Sequence, residues 1–265
     1  MNPLQTLVDQ PPANPATLTA ALAARYGGGL ELPDDVLYAN FVSSLDGVVA
    51  LEGAEGGGPA AIALHSEADR FVMGLLRALA DCVLLGGGTL RDGWNHHWTP
   101  AHIFPEAARE YAALGRPVPP LIVVTLRGAL DPAQPALQAG ALVLTTDAGA
   151  ARLGSALPGG VRVRSLGPDA PTGRRLLAAA RAEGHRRVLT EGGPSVIGVL
   201  LRDRVLDELF LTLSPVLAGR QAGSGGRLSI VEGMALPPGG FVAGTLRSLR
   251  RAGEHLFLRY RFSAG

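Results

Sequence analysis

Lysine is missing altogether from the 265 residues, cysteine occurs once, and aromatic side chains make up 5% of the chain. With no lysine, every formally positive side chain is an arginine, which suits bidentate anion recognition and also fits a general alanine and glycine bias. The single Cys82 forbids an internal disulfide. Its place in the apolar run Asp81-Cys82-Val83-Leu84-Leu85 reads as a buried structural thiol and not as a nucleophile. Charge imbalance is lacking too: a net charge of +1 removes the general electrostatic case for nucleic acid or a membrane surface. No apolar run approaches the roughly 18 residues of a membrane span, and no basic-then-apolar leader opens the chain. The expectation is a soluble cytoplasmic protein.

What is present is a globular composition, 47% hydrophobic and 18% charged, in a chain long enough to bury a substantial core. Residues 1–34 read as an N-terminal extension, a Pro-rich tail followed by a short helix from Ala16 to Tyr26 that Gly27-Gly28-Gly29 stops. Residues 35–265 read as one domain. Buried strands are expected at 36–42, 81–85, 121–127, 141–147 and 205–217, with a short alternating strand at 161–164. A helix from Ser66 carries a capping-box pattern with Asp69, and a basic helix spans 174–182. The final stretch from His255 to Phe262 alternates apolar and polar residues, as a half-exposed antiparallel strand does. The α/β alternation with a β-only tail implies a mixed sheet.

The stretch from Val188 to Leu201 organises the rest. It is a strand that breaks at Gly192-Gly193 and restarts as a helix, with Gly193 suited to the N-cap and Pro194 to the first helical position. The unpaired N–H groups there form a ready anion site, and Glu191 stands beside it. A second cradle follows the strand at 81–85, where Gly86-Gly87-Gly88 permit close approach and Thr89 adds a hydroxyl donor. Two such turns in one sheet suggest a ligand with several phosphates. The second cradle matches neither the G-x-G-x-x-G nor the Walker pattern.

Other residues read in two ways. Asp46, in Ser43-Ser44-Leu45-Asp46-Gly47 at a strand's C-terminal end, is placed to meet a ligand or simply to close an Asp-Gly turn. Arg77 falls roughly opposite the apolar stripe Ala68, Phe71, Val72, Leu75, Leu76 and Leu79, so periodicity makes it a solvated arginine unless a ligand or a second subunit covers that face. Gly53 to Pro59 and Gly219 to Gly226 read as glycine-rich loops, the first a possible flap over a ligand. Adjacent His96 and His97, with His102 nearby, bring no cysteine or carboxylate cluster; a pocket-lining loop is expected there and no metal.

Taken together, Asn40-Phe41-Val42-Ser43-Ser44-Leu45-Asp46-Gly47, Leu76-Arg77-Ala78-Leu79-Ala80-Asp81, Gly86-Gly87-Gly88-Thr89, Glu191-Gly192-Gly193-Pro194-Ser195, Val205-Leu206-Asp207-Glu208-Leu209 and Ser214-Pro215-Val216-Leu217-Ala218-Gly219 resemble the reductase domain of bacterial riboflavin biosynthesis, a relative of dihydrofolate reductase. The resemblance covers roughly residues 36 to 262. It implies a dihydrofolate reductase-like, three-layer α/β/α fold with a mixed, mostly parallel sheet and an antiparallel C-terminal strand. It also implies NADPH, a homodimer, and reduction of the ribosyl group of a phosphorylated aminopyrimidine to ribityl. On that reading Gly87, Gly88, Thr89, Gly192, Gly193, Pro194 and Ser195 hold the dinucleotide phosphates, Val42 and Ser43 line the nicotinamide end, and Thr125 and Arg127 meet the 2′-phosphate. Asp46, Arg77 and Glu191 face the substrate, with Asp46 and Glu191 as the catalytic candidates and Asp46 organising the proton.

The sequence departs from the family at Arg91-Asp92-Gly93-Trp94-Asn95-His96-His97-Trp98 and at Ala60-Ala61-Ile62-Ala63, segments that bear on the substrate more than on the cofactor. Two alternatives therefore stand beside the first reading. One is an NADPH oxidoreductase of the same fold acting on a different heteroaromatic or carbonyl compound; the other is a non-catalytic nucleotide-binding protein.

Overall fold

A computed structural model describes residues 1–10, 18–51, 58–220 and 226–262. The chain opens with strand β1 (Gln5–Asp9) and helix α1 (Ala20–Tyr26), which starts where the Thr19 hydroxyl accepts the Leu22 N–H and ends at Gly27 in the left-handed region. Strand β2 (Val36–Ser43) is almost wholly buried, as an interior strand of a parallel sheet must be. After β3 (Val48–Leu51) and α2 (Gly58–Ile62) comes α3 (Glu67–Leu79), capped by the Ser66 hydroxyl. Then follow β4 (Cys82–Gly86), α4 (Gly87–Asp92), α5 (Pro100–Ile103), α6 (Ala108–Ala112), β5 (Leu121–Val124), α7 (Pro135–Gln138) and β6 (Ala141–Thr145). The chain continues through α8 (Asp147–Leu153), β7 (Val161–Ser165), α9 (Gly173–Ala182), β8 (Arg187–Thr190) and α10 (Pro194–Arg202). It closes with β9 (Glu208–Leu213), β10 (Arg227–Ser229), β11 (Gly244–Ala252) and β12 (His255–Phe262).

Ten of these strands form one sheet in the order β1-β11-β12-β9-β2-β8-β4-β5-β6-β7, while β3 and β10 pair separately. From β9 through β7 every pairing is parallel; β1, β11 and β12 add to β9 antiparallel. Alternate residues of each central strand face opposite layers. Tyr38, Val83, Leu85, Val123 and Leu189 pack with α1 and α3 on one side. Leu37, Leu84, Ile122 and Val188 pack with α9 and α10 on the other. The result is the expected three-layer α/β/α arrangement with a mostly parallel sheet and an antiparallel C-terminal strand. Strand β8 lies between β2 and β4, although the chain reaches it last of the three. The crevice beyond the carboxyl ends of these strands is where ligands bind in such sheets.

The N-terminal segment is built into this core. Strand β1 pairs with β11, and Leu4, Leu22, Tyr26, Leu30 and Leu32 are buried with the residues of α3. The Pro-rich stretch at 11–17, most of the Gly53–Pro59 loop and most of the Gly219–Gly226 loop lie outside the described residues. Strand β11, which sequence reading passed over, is the central strand of the antiparallel extension. It hides there because Arg247, Arg250 and Arg251 interrupt its apolar pattern, while the structure buries Arg250 against Tyr26, with the guanidinium 4.0 Å from the ring centre.

Candidate active site

The two glycine turns meet. Strands β4 and β8 pair with Leu84 opposite Thr190, so Gly86 and Glu191 leave the sheet side by side. The Thr190 hydroxyl donates to the Leu84 carbonyl at 3.1 Å and accepts the Gly192 N–H, fixing the turn between strand and helix. A Cβ on Gly193 would lie 3.3 Å from the Thr89 hydroxyl, and one on Gly192 would press against Val196 at 2.8 Å. Gly193 is the N-cap of the nine-residue α10, with Pro194 at its first turn and Ser195 exposed. The Thr89 hydroxyl and the N-terminal end of α10 thus lie against one another. Gly87 lies against Thr125 at the end of β5, and Arg127 is exposed just beyond. The described residues therefore fit a dinucleotide's phosphates, with backbone where side chains would collide and a guanidinium at one end.

Arg77 corrects the periodicity reading: it is not solvated but fully buried. Its Nε and Nη2 donate to the two Glu191 carboxylate oxygens at 2.9 and 2.6 Å, Nη1 donates to the Thr99 carbonyl, and Nη2 also lies 2.9 Å from His96 Nε2. A stripe calculation assigns apolar surroundings to one face only, and here the opposite face is covered by the chain that follows α4. Because an arginine has no acceptor, His96 must present the lone pair of Nε2 and carry its proton on Nδ1. Burial first, and then the Arg77 charge, hold the His96 imidazole down to about 3, so it is neutral. The ring stands edge-on to Trp98 and to His102. Gln134 secures the start of this loop, donating to the carbonyls of Leu90, Gly93 and Trp94. Among the described residues no group of histidines, cysteines and carboxylates is arranged to hold a metal.

Asp46 sits on the rim with its carboxylate engaged by the backbone. The Ser44 hydroxyl donates at 2.6 Å, and the amides of Ala218 and Gly219 donate at 2.9 and 2.6 Å. These bonds, the Ser44 one foremost, hold the carboxyl down to about 2. Asp46 is therefore an ionised tie between two loops. Val42 and Ser43 are buried at the end of β2, next to Thr212 and Leu213 of β9. Cys82 is buried in β4, and burial pushes its thiol up, away from the reactive thiolate.

One group in this region escaped sequence reading. Asp69 supplies the amide of the α3 capping box, as expected, but its side chain is buried too, at 5% exposure. Burial drives its carboxyl upward, with Glu191 adding like charge, against weaker pulls from Thr212, His255 and Arg70.

No curated protein matches the sequence significantly. Among solved structures, the fold is similar to a pyrimidine reductase-like protein of Corynebacterium diphtheriae, with a TM-score of 0.68 and 20% identity over 91% of this chain and 97% of that one. It is similar also to the Thermotoga maritima diaminohydroxyphosphoribosylaminopyrimidine deaminase/5-amino-6-(5-phosphoribosylamino)uracil reductase, with a TM-score of 0.63 and 18% identity over 87% of this chain and 57% of that one. The Saccharomyces cerevisiae riboflavin biosynthesis reductase Rib7 gives a TM-score of 0.57 and 15% identity over 89% and 94%. The chain spans 58% of the Acinetobacter baumannii RibD chain it also resembles. These likenesses establish the fold, and the sequence itself matches the RibD C-terminal domain over residues 36–235, well over half its length. The paired glycine turns, the buried Arg77–Glu191 contact and that match agree: the chain belongs to the RibD C-terminal domain family.

Proposed function

We propose that this chain is an NADPH-dependent reductase that converts the ribosyl group of 5-amino-6-(5-phosphoribosylamino)uracil, or of its diaminopyrimidinone counterpart, to ribityl. The observation that carries the reading is the meeting of the Thr89 hydroxyl with the Gly193 N-cap, next to Glu191. NADPH, when bound, supplies the hydride. Gly87, Gly88, Thr89 and the Gly192–Ser195 turn hold its phosphates, Thr125 and Arg127 its 2′-phosphate, and Val42 and Ser43 its nicotinamide end. Glu191, fixed by Arg77, orients the substrate as an anionic acceptor. Asp46 acts as an ionised carboxylate that positions the 218–219 backbone at the rim, and its low pKa removes it as a proton donor. With this reading go a reductase domain at 35–265 and a cytoplasmic homodimer.

A second reading keeps fold and cofactor and changes the substrate. It is favoured by His96, which takes an Arg77 N–H that a substrate anion would otherwise compete for. Mixing the protein with NADPH and the aminopyrimidinone ribosyl phosphate, and following loss of the reduced nicotinamide absorbance, separates the two. Turnover supports the first; tight NADPH binding without turnover favours the second. Thr89→Val removes a donor and Gly193→Asp puts a carboxylate at the phosphate site, so each should weaken NADPH binding by about tenfold or more. Unchanged affinity in both variants refutes the cofactor site.

A further inference from the structure

The backbone of Glu191 is fixed, its N–H donating to the Leu84 carbonyl at 3.1 Å, but its carboxylate depends on a single neighbour. Among the described residues it accepts hydrogen bonds from Arg77 alone, at 2.9 Å from Nε and 2.6 Å from Nη2, so the direction of the carboxylate is the direction of the guanidinium. The far edge of the guanidinium is held by two contacts, Nη1 to the Thr99 carbonyl at 3.3 Å and Nη2 to His96 Nε2 at 2.9 Å. The first is long for an N–H···O bond and the second is of ordinary length, which makes His96 the tighter stop against rotation of the Arg77 fork. Nη2 gives one N–H to Glu191 and the other to His96. Without the imidazole, a charged donor on a fully buried side chain would lose its acceptor.

The imidazole is itself held in place. The His96 N–H donates to the Gly93 carbonyl at 2.9 Å, and the ring stands 4.8 Å from that of buried Trp98 and 4.9 Å from that of His102, edge-on to both. A Cβ on Gly93 would lie 3.1 Å from the Trp98 ring and 3.3 Å from the His96 Cβ, so the turn that presents the ring closes only with glycine there. The charged or titratable groups facing the ring are Arg77 of α3, His102 of α5 and His97 of its own segment; none is an acid that would favour the imidazolium. His96 also lies in the Arg91–Trp98 segment that departs from the family pattern, so its contact with Arg77 is a feature of this chain.

We propose that His96 is a positioning residue of the reductase site, a role that rests on the reductase reading above. Through the Nε2 lone pair it fixes Arg77, and through Arg77 it sets the direction in which Glu191 meets the substrate. Shape alone does not supply this. A ring of similar size without a lone pair fills the space and leaves the Nη2 N–H to turn toward another acceptor, taking Glu191 with it.

The test uses His96→Ala, His96→Phe and His96→Gln in the full chain, with NADPH and the aminopyrimidinone ribosyl phosphate as probes. His96→Ala and His96→Phe should each lower kcat/KM for the substrate by about 10- to 100-fold, with NADPH affinity unchanged, and His96→Gln, whose carbonyl oxygen replaces the lone pair, should recover most of the loss. Added imidazole should restore His96→Ala but not His96→Phe. The restored fraction, taken as the ratio of rates with and without imidazole at each pH, should follow the free base, since imidazolium has no lone pair to give. Wild-type kcat/KM in His96→Phe, a His96→Gln protein no better than His96→Phe, or imidazole that leaves His96→Ala unrepaired or repairs it equally well when protonated overturns the role. If His96→Ala fails to fold, the comparison of His96→Phe with His96→Gln decides alone. NADPH bound by the wild type without any turnover overturns the reductase reading and this role with it, a result distinct from turnover that is the same in the wild type and in His96→Phe.

Discussion

Arg77 has no exposed surface, and its charge is balanced by one carboxylate 114 positions away in sequence. Removing one partner of such a pair strands the other charge, so Arg77→Ala should destabilise the fold by about 3–5 kcal/mol, read from urea unfolding. Arg77 was visible in the sequence as a charge on an amphipathic helix, but its burial was not, because the covering residues His96, Thr99 and Glu191 come from other elements. His96 adds a pH dependence of known sign. Its folded pKa of about 3 lies below the unfolded value near 6.5. The unfolded chain therefore binds the extra proton between those limits. Stability from this group is intact above about pH 6.5 and is lost as pH falls toward 3. His96→Gln keeps an acceptor for Arg77 without the titration, and its unfolding midpoint should vary less than the wild type's across that window.

At the scale of elements, the strand-to-helix turns were legible because glycine and proline carry their backbone requirements in their own chemistry. Gly193 before Pro194 announces a helix start whatever surrounds it, and the structure puts α10 there. Elements lacking such a signature were missed or misjudged. The apolar run at 141–147 reads as a single strand, yet β6 stops at Thr145 and the Thr146 hydroxyl caps α8 by accepting the Gly149 N–H at 3.0 Å. Gly149 is held against the Thr145 hydroxyl and the Leu126 carbonyl, with no room for a side chain. Gly149→Ala should accordingly cost about 1–3 kcal/mol by forcing α8 off the ends of β5 and β6. If Thr125 and Arg127 serve the 2′-phosphate, the same variant should weaken NADPH binding more than NADH binding, which titration of both can compare.

For the molecule as a whole, the segment before residue 35 is part of the stability of the rest. Arg250 is buried where its Nε donates to the Tyr26 carbonyl and its Nη2 pairs with Asp9 at 2.9 Å. Asp9→Ala should cost about 1.5–3 kcal/mol, the range for a hydrogen bond to a charged group. Removing residues 1–34 also strips Leu4, Leu22, Tyr26, Leu30 and Leu32 from the core, and the truncated chain should melt at a markedly lower temperature. The sheet that this segment completes has two unequal borders. On β7 the outermost backbone is flanked by Arg162 and Arg164, both ion-paired to Glu183, charges that discourage another strand from adding there. On β1 the outermost strand shows Leu7 and Val8, 45% and 42% exposed. Unwanted fibrous association of concentrated protein should therefore begin at β1, and a single charge placed at position 8 should delay it.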